Sequence, residues 1–420
     1  MLDAQSGLAP REGSIGMKVV IIGNNVAGIT TAKTLREMRL DVDISVFAEE
    51  RYHYYSRPML IEFIANRTDE KSLLFYPEDW YSKNRIKVNL GMKVEKIDPA
   101  GKKVLAAGQW HDYDALVIAT GARAFVPPIK GMPKQNVFTL RTLDDAKAIK
   151  ALIPKIKSVV IVGGGLLGLE SARAILQARA GLSIKILEKA NYLLSRQLDE
   201  EGGNLLRALI EEMGVDVVTN AEVEEIKGVQ QVEKVKLKDG RELDAQMVII
   251  SAGVRPNLDI VKEAGLKVEK GLIVDSGLCC NKEMAIFAAG DVVQYEGTVW
   301  GIIPAALDQA KVVARMIIGN EPTEYHGTVV SNTLKVMGVD LTSIGTINPP
   351  QGQGYEDIRA KSDDGRTYKK FVIKDGKMVG AILLGSRKEI QRVTKLIKDG
   401  ASIEGLKGRM KAVDFDFSGL

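Results

Sequence analysis

The sequence predicts an α/β protein: two three-layer strand–helix–strand units followed by a C-terminal α+β domain. Three observations carry this. A strand–glycine turn–helix–strand order at residues 17–50 returns at 158–188. Each copy is trailed by short alternating strands rather than by further helices. Residues 326–420 alternate apolar and polar positions and hold one helix, the pattern of a half-buried antiparallel sheet.

At 420 residues the chain exceeds the size at which one hydrophobic core stops growing, so two or three domains are expected. In the first copy, MKVVIIG (17–23) is an apolar β run. The helical AGITTAKTLREM follows, and then DISVF, which leads into Glu49 and Glu50. The short strands KVNLG, KVEKID and KKVLAA lead on to YDALVIATGA at 113–122. The second copy runs SVVIVGGG (158–165), LLGLESARAILQA and SIKIL, ending in Glu188. Its β-rich tail is EVEEIK, QVEKVKLKDG and ELDAQMVIISAG. After Gly253 come VRPN, the run IFAAGDVV (286–293) and a helix, PAALDQAKVVARMII. In the last domain KVMGVDLTSIG, YKKFVIKDG and KMVGAILLG read as strands, with a helix near 387–398. KDGR (238–241) and KDGK (374–377) are hairpin turns. These boundaries give domains at 17–122 with 254–325, at 123–253 and at 326–420, after a flexible tail at 1–16.

Bulk properties exclude several classes. Hydrophobic content is 45% and charged content 27%, ordinary for a globular protein. No run of about 18 uninterrupted apolar residues suggests a membrane span. The N-terminus lacks the order of a signal peptide. A net charge of +4 is too small to argue for nucleic acid. The only cysteines, Cys279 and Cys280, are adjacent, so they cannot staple a long loop or supply a zinc site. A reducing, cytoplasmic compartment fits this usage. Three histidines leave little room for a metal cluster, and no metal is expected.

The glycine turns carry the chemistry. Gly163, Gly165 and Gly168, with Leu166 and Leu167 between them, match G-x-G-x-x-G between strand and helix. The first glycine permits a tight turn, the second lets backbone approach a pyrophosphate, and the third brings helix and strand close. Phosphates sit well on a helix N-terminus, where N–H groups and the helix dipole favour negative charge. Glu188, at the end of the next strand, is placed to grip ribose hydroxyls, and its charge repels a 2′-phosphate, favouring NADH over NADPH. The plain alternative is a glycine-rich turn with no ligand, but strand, helix and distant acid together favour binding. The first loop is Gly23, Asn24, Asn25, Val26, Ala27, Gly28, with Asn25 where the middle glycine belongs. Asparagine tolerates unusual backbone angles, and its amide could donate to a phosphate. Glu49 or Glu50 supplies the ribose acid.

GNNVAG, YSRPML, ATGA, GGGLLGLE, SAGVRPN and IFAAGD, in that order, resemble the pyridine-nucleotide–disulfide oxidoreductase superfamily over residues 17 to about 325. Within it the chain looks most like the NADH:rubredoxin and ferredoxin reductases. The resemblance implies two Rossmann-like nucleotide-binding domains, FAD in the first site, NADH in the second, and an interface domain at the C-terminus. It places Thr120 and Gly121 beside FAD, Asp291 on its ribityl or pyrophosphate end, and Val94 on its adenine. Arg57 would neutralise phosphate charge, Glu170 would lie near the nicotinamide–flavin junction as the one catalytic candidate, and Gly253 against NADH. Disulfide reductases carry a C-x4-C pair near residues 56–62; this chain has none, nor a histidine after His326, so a disulfide substrate is not expected. Relatives often have a lysine where this chain has Glu62.

The implied activity is hydride transfer from NADH to FAD and onward transfer to a one-electron carrier such as rubredoxin or ferredoxin. The alternatives are an NADH oxidase using oxygen and a flavoprotein subunit or NADH-sensing binding protein of a larger redox complex. A homodimer is one expectation for the assembly. The helix after WGIIP (300–304) could aim its N-terminus at the flavin or merely pack. Core burial of the cysteines and a structural, hydrogen-bonded His53 outweigh redox or proton-shuttle roles. The tyrosines at 52, 54 and 55 could shield the flavin or simply pack. The basic stretch 387–411 reads first as the solvated face of an amphipathic helix and second as a dock for an acidic carrier.

Overall fold

A computed structural model describes residues 16–319, 323–328, 331–350, 352–415 and 417, and for 331–334 the backbone alone. Of the tail expected at 1–16, residues 1–15 lie outside the described residues. The elements that position the sites begin with β1 (Lys18–Ile22), α1 (Val26–Met38), β2 (Asp43–Phe47) and α2 (Leu60–Ile64). Next come β3 (Ile86–Asn89), β4 (Ala115–Ile118), α3 (Leu143–Leu152), β5 (Ser158–Val162) and α4 (Leu166–Ala178). β6 (Ser183–Leu187), α5 (Glu200–Glu212), β7 (Val215–Val218), β8 (Met247–Ile250) and α6 (Ile303–Ile318) follow. The C-terminal sheet is β9 (Ser331–Val336), β10 (Val339–Gly345), β11 (Tyr355–Lys361), β12 (Tyr368–Lys374) and β13 (Lys377–Leu384), and α7 (Ile390–Asp399) closes the order.

Two compact units result. One holds residues through Met59, Asp69–Arg123 and Val254–Thr328; the other holds Leu60–Thr68, Ala124–Gly253 and Val329–Leu420. Residues 60–68, read from the sequence as part of the first domain, cluster with the second unit, because α2 packs on α3 and α4.

The first unit is built on a parallel sheet in the order β3-β2-β1-β4, extended by the strands Ile286–Ala288 and Cys279–Asn281. Past Lys18, β1 is apolar, as is the whole of β4, the composition of strands covered on both faces. Val19, Ile21, Val46 and Val117 are fully buried, each contributing about 1.5–3 kcal/mol relative to exposure. Helices α1 and α6 pack together. A small antiparallel sheet, residues 94–98, 103–106 and 109–112, adds Ile97 and Val104 to the same core.

The second unit repeats this plan. Its parallel sheet runs β7-β6-β5-β8 and is extended beyond β8 by the strand Val137–Phe138, and the antiparallel strands at 223–227, 234–237 and 242–244 add Ile226 and Val235 to its core. The C-terminal sheet of this unit is antiparallel, ordered β9-β10-β13-β12-β11. KVMGVDLTSIG is not one strand but a hairpin, broken at Met337 and Gly338, which both have positive φ. KDGK forms the two-residue turn between β12 and β13, with Asp375 and Gly376 left-handed, as a tight hairpin requires. Helix α7 buries Val393 and leaves Arg392, Lys395 and Lys398 outside.

Candidate dinucleotide sites

The second glycine loop is an open cradle. A Cβ on Gly163 (φ +115°) would lie 2.3 Å from the Ser251 carbonyl oxygen, and one on Gly168 would lie 2.1 Å from the Gly163 oxygen. Both positions therefore demand glycine. At Gly165 the added Cβ meets nothing within 4 Å, and this N-cap residue of α4 makes no side-chain capping bond. At the start of α4, Gly165 thus opens onto free space and Leu167 is exposed, while Gly168 is packed against the strand. Glu188 follows β6 directly. Its Oε2 accepts from Gly164 N–H at 2.9 Å and its Oε1 from Ala190 N–H at 2.8 Å, so backbone fixes the carboxylate beside the loop. Gly253 (φ +94°) also opens onto free space.

The first loop has the same frame but a different middle. Cβ atoms on Gly23 (φ +118°) and Gly28 would lie 2.0 Å and 1.9 Å from the Ala119 and Gly23 oxygens. Asn25 has φ −127°, extended backbone that any residue adopts, so no tolerance of unusual angles is called on here. Its side chain is instead the N-cap of α1: Oδ1 accepts from Ala27 N–H at 3.0 Å and Gly28 N–H at 3.2 Å. Its Nδ2 donates to the Ala119 oxygen, not outward as a phosphate donor. Gly290 (φ +89°) packs on Ala27, where a Cβ would come within 2.9 Å of the Ala27 Cβ.

Register separates the two candidate ribose acids from Glu188. Glu188 N–H donates to the Val218 oxygen across its sheet, and the residue making the matching bond in the first unit is Ala48, to Asn89. Glu49 and Glu50 lie one and two residues beyond. Glu49 is 70% exposed and pairs with Lys93 at 3.0 Å. Glu50 pairs with Arg57 at 2.7 Å and accepts the Tyr55 hydroxyl. Burial alone would lower the Arg57 pKa, but Glu50, Tyr55 and Asp291 more than offset it and hold the guanidinium above its ordinary value. Arg57 and Glu50 therefore form an ion pair in the first unit, within electrostatic reach of Asp291. Val94 opens the strand paired with residues 103–106 and is buried.

The two connections between sheet and loop also match. Thr120 Oγ1 donates to the Asn257 oxygen at 3.1 Å, and Asn257 Nδ2 returns a bond to the Thr120 oxygen at 2.8 Å. The Gly121 oxygen accepts from Asn257 N–H, as the Gly253 oxygen accepts from Phe125 N–H, both at 2.9 Å.

Glu170 is held by two partners in the second unit. Oε1 accepts from Met337 N–H at 2.7 Å, and Oε2 pairs with Arg173 at 2.7 Å. Arg173 also pairs with Glu62 at 2.9 Å. Arg173 thus supplies a cation between Glu170 and the glutamate that stands in the lysine position. The E-x-x-R spacing on α4 carried a signal for the first contact, since residues three apart share a helix face. No local signal could find Glu62 or Met337.

Among the less promising residues, His53 stacks on Tyr81 with ring centroids 4.3 Å apart, and burial lowers its pKa. Its Nδ1 is a buried atom with no hydrogen-bond partner, so the hydrogen-bonded role expected for this ring is not seen at that nitrogen. Cys279 and Cys280 are free thiols, and burial pushes Cys279 up to about 11, far from a reactive thiolate. Among the described residues no group of three or more His, Cys, Asp or Glu could hold a metal, and no helix is long and apolar enough to cross a membrane.

Two glycine-lined strand–helix loops in tandem, each at the end of a parallel sheet, define a protein built around two dinucleotide sites. Residues 17–310 match the pyridine nucleotide-disulphide oxidoreductase family, and residues 331–401 match the rubredoxin NAD+ reductase C-terminal domain. The chain belongs to the pyridine nucleotide-disulphide oxidoreductase family. It is 32% identical over 389 residues to nitrite reductase [NAD(P)H] of Bacillus subtilis (strain 168), covering 92% of this chain and 48% of that protein. It is 31% identical over 392 residues to the NADH-rubredoxin oxidoreductase of Clostridium acetobutylicum, covering 93% and 96%. The solved structure of the NADH:rubredoxin oxidoreductase from Clostridium acetobutylicum superposes with a TM-score of 0.78 at 29% identity, covering 96% of this chain and 100% of that one. An NAD-dependent persulfide reductase from A. fulgidus gives 0.85 at 27%, covering 93% and 78%. The chain spans less than half the length of the nitrite and nitrate reductase relatives that head the curated matches.

Proposed function

We propose that this chain binds FAD at the first loop and NADH at the second, takes hydride from NADH onto FAD, and passes electrons to a protein carrier such as rubredoxin or ferredoxin. The duplicated loop carries the reading: one chain holds two cradles of the same frame, and a backbone-fixed acid, Glu188, marks the second. The resemblance to an NADH-rubredoxin oxidoreductase over nearly the whole of both chains supports the acceptor class.

A bound flavin supplies both hydride acceptance and single-electron release, so no protein nucleophile is required. The chain's residues bind and orient. Gly163, Gly165, Gly168, Leu166 and Leu167 present backbone to the NADH pyrophosphate, and Glu188 accepts from its adenosine ribose hydroxyls. Gly253 leaves room for the dinucleotide. Gly23, Gly28, Thr120 and Gly121 line the flavin cradle, with Arg57, Glu50 and Asp291 as its charged wall. Glu170, with both carboxylate oxygens engaged, acts as a positioning residue rather than a proton donor.

The same activity could serve oxygen or a larger complex. An NADH oxidase from Methanocaldococcus jannaschii is 32% identical over 404 residues, and the nitrite reductase large subunit of Escherichia coli (strain K12) is 32% identical over 391. Our domain assignment (17–122 with 254–325, 123–253, 326–420), a cytoplasmic location and a homodimer belong to the same proposal. The test is to reduce the flavin-loaded protein with NADH without air, then compare flavin reoxidation by rubredoxin and by oxygen. Much faster reoxidation by rubredoxin is expected. Equal or faster reoxidation by oxygen would transfer the assignment to an oxidase or to a complex subunit.

A further inference from the structure

Arg173 stands between two carboxylates that come from different helices. Its Nη2 lies 2.7 Å from Glu170 Oε2 and 2.9 Å from Glu62 Oε1, and its Nε donates to the same Glu170 oxygen at 2.9 Å. The side chains of Glu170 and Arg173 are each 18% exposed and that of Glu62 is 25% exposed, so water screens the three charges in part. Arg67 approaches the other oxygen of Glu62 at 3.5 Å, from an exposed position. The other oxygen of Glu170 accepts from Met337 N–H at 2.7 Å, in the turn between β9 and β10. Glu170 sits on the second turn of α4, about 7 Å along the helix from the cradle at Gly165.

We propose that Arg173 is a positioning residue for hydride transfer: by binding both carboxylates it holds Glu170 in one place, beside the nicotinamide half of the second site. The inference rests on the proposed reading of that loop as the NADH site. Without the guanidinium, Glu170 Oε2 loses two donors and faces a like charge on α2. Like charges repel strongly where water screens them poorly, so Glu170 leaves the Met337 N–H and its place. Glu188 and the glycine turns, which hold the adenosine half and the pyrophosphate, are other residues, so affinity and reactivity separate. Glu62→Gln removes the like charge, and it therefore compensates for loss of the cation.

The experiment reduces the flavin-loaded full chain with NADH, without air, in a stopped-flow instrument. It compares the wild type, Arg173→Gln, Arg173→Lys, and Arg173→Gln combined with Glu62→Gln. Hydrogen exchange at the Met337 N–H and the melting temperature are measured alongside. Arg173→Gln is expected to lower the limiting rate of flavin reduction about tenfold, the worth of one charge-assisted hydrogen bond. Its Kd for NADH stays within about twofold of the wild type, because the grips on the adenosine half are intact, and its Met337 N–H exchanges faster. Arg173→Lys keeps the charge and the double variant removes the repulsion, so both return to within about threefold of the wild type in rate and exchange. An unchanged rate or unchanged Met337 exchange in Arg173→Gln would overturn the inference and leave the NADH assignment standing. Rate, affinity and melting temperature falling together, with no recovery in the double variant, would reduce Arg173 to a packing role. If the wild type itself takes no hydride from NADH, the assignment of the site fails and the inference with it.

Discussion

Glu188 shows how backbone fixes the direction of a single side chain. Two N–H groups, from Gly164 and Ala190, aim its carboxylate at the mouth of the second loop. Glu188→Ala is expected to weaken NADH binding about tenfold or more, the worth of charge-assisted bonds to ribose. Equilibrium titration with NADH measures it, and affinity equal to the wild type would remove Glu188 from the site. The sequence put this acid at the end of β6, where the structure has it, because it immediately follows an apolar β run. At Glu49 and Glu50 the register differs: Ala48 holds the position that matches Glu188, and Glu50 pairs with Arg57. Arg173 was invisible as a partner of Glu62, because 111 residues separate them.

At the scale of elements, the C-terminal sheet contains charged pairs that the alternating pattern did not announce. Lys369 on β12 pairs with Glu389, just before α7, at 2.7 Å, with side chains 4% and 9% exposed. Burial alone would raise the Glu389 pKa, but Lys369 and Ser386 more than offset it and hold the carboxyl below its ordinary value. A depressed folded-state pKa means that the pair's contribution is full above the unfolded value of 4.5 and is lost as pH falls through the folded one. Glu389→Gln is expected to cost about 3 kcal/mol at neutral pH, because a buried lysine loses its counter-charge. The variant should also lose less stability than the wild type between pH 7 and pH 3. Chemical denaturation at the two pH values checks both; parallel losses would show that Glu389 does not carry the acid sensitivity. Periodicity found β12 as a strand, but Lys369 and Lys370 are buried in it, so polar letters misstated which positions face inward.

For the whole molecule, the basic C-terminal stretch 387–411 raised an acidic carrier as its second reading, after the solvated face of an amphipathic helix. The structure shows α7 packing Val393, with Ile390, Leu396 and Ile397, onto the C-terminal core. Its lysines are the outward face that any amphipathic helix presents. Lys395→Glu combined with Lys398→Glu is therefore expected to change rubredoxin-linked flavin reoxidation by less than about twofold, since solvated charges away from a contact are screened and act weakly. A large, salt-dependent slowing in stopped-flow measurements would make this face the carrier dock.

The sequence by itself determined the duplicated strand–turn–helix–strand plan, the two glycine loops, the acid at Glu188 and the antiparallel C-terminal sheet. These features are written locally: apolar periodicity, glycines where a Cβ would strike a carbonyl, and an acid at the end of a strand. Only the tertiary structure decided that Asn25 turns inward to cap its own helix, that Arg173 joins Glu62 to Glu170, and that Glu50 belongs with Arg57. Those outcomes depend on hydrogen bonds and charge pairs between residues far apart in the chain, and short-range pattern contains no term for them.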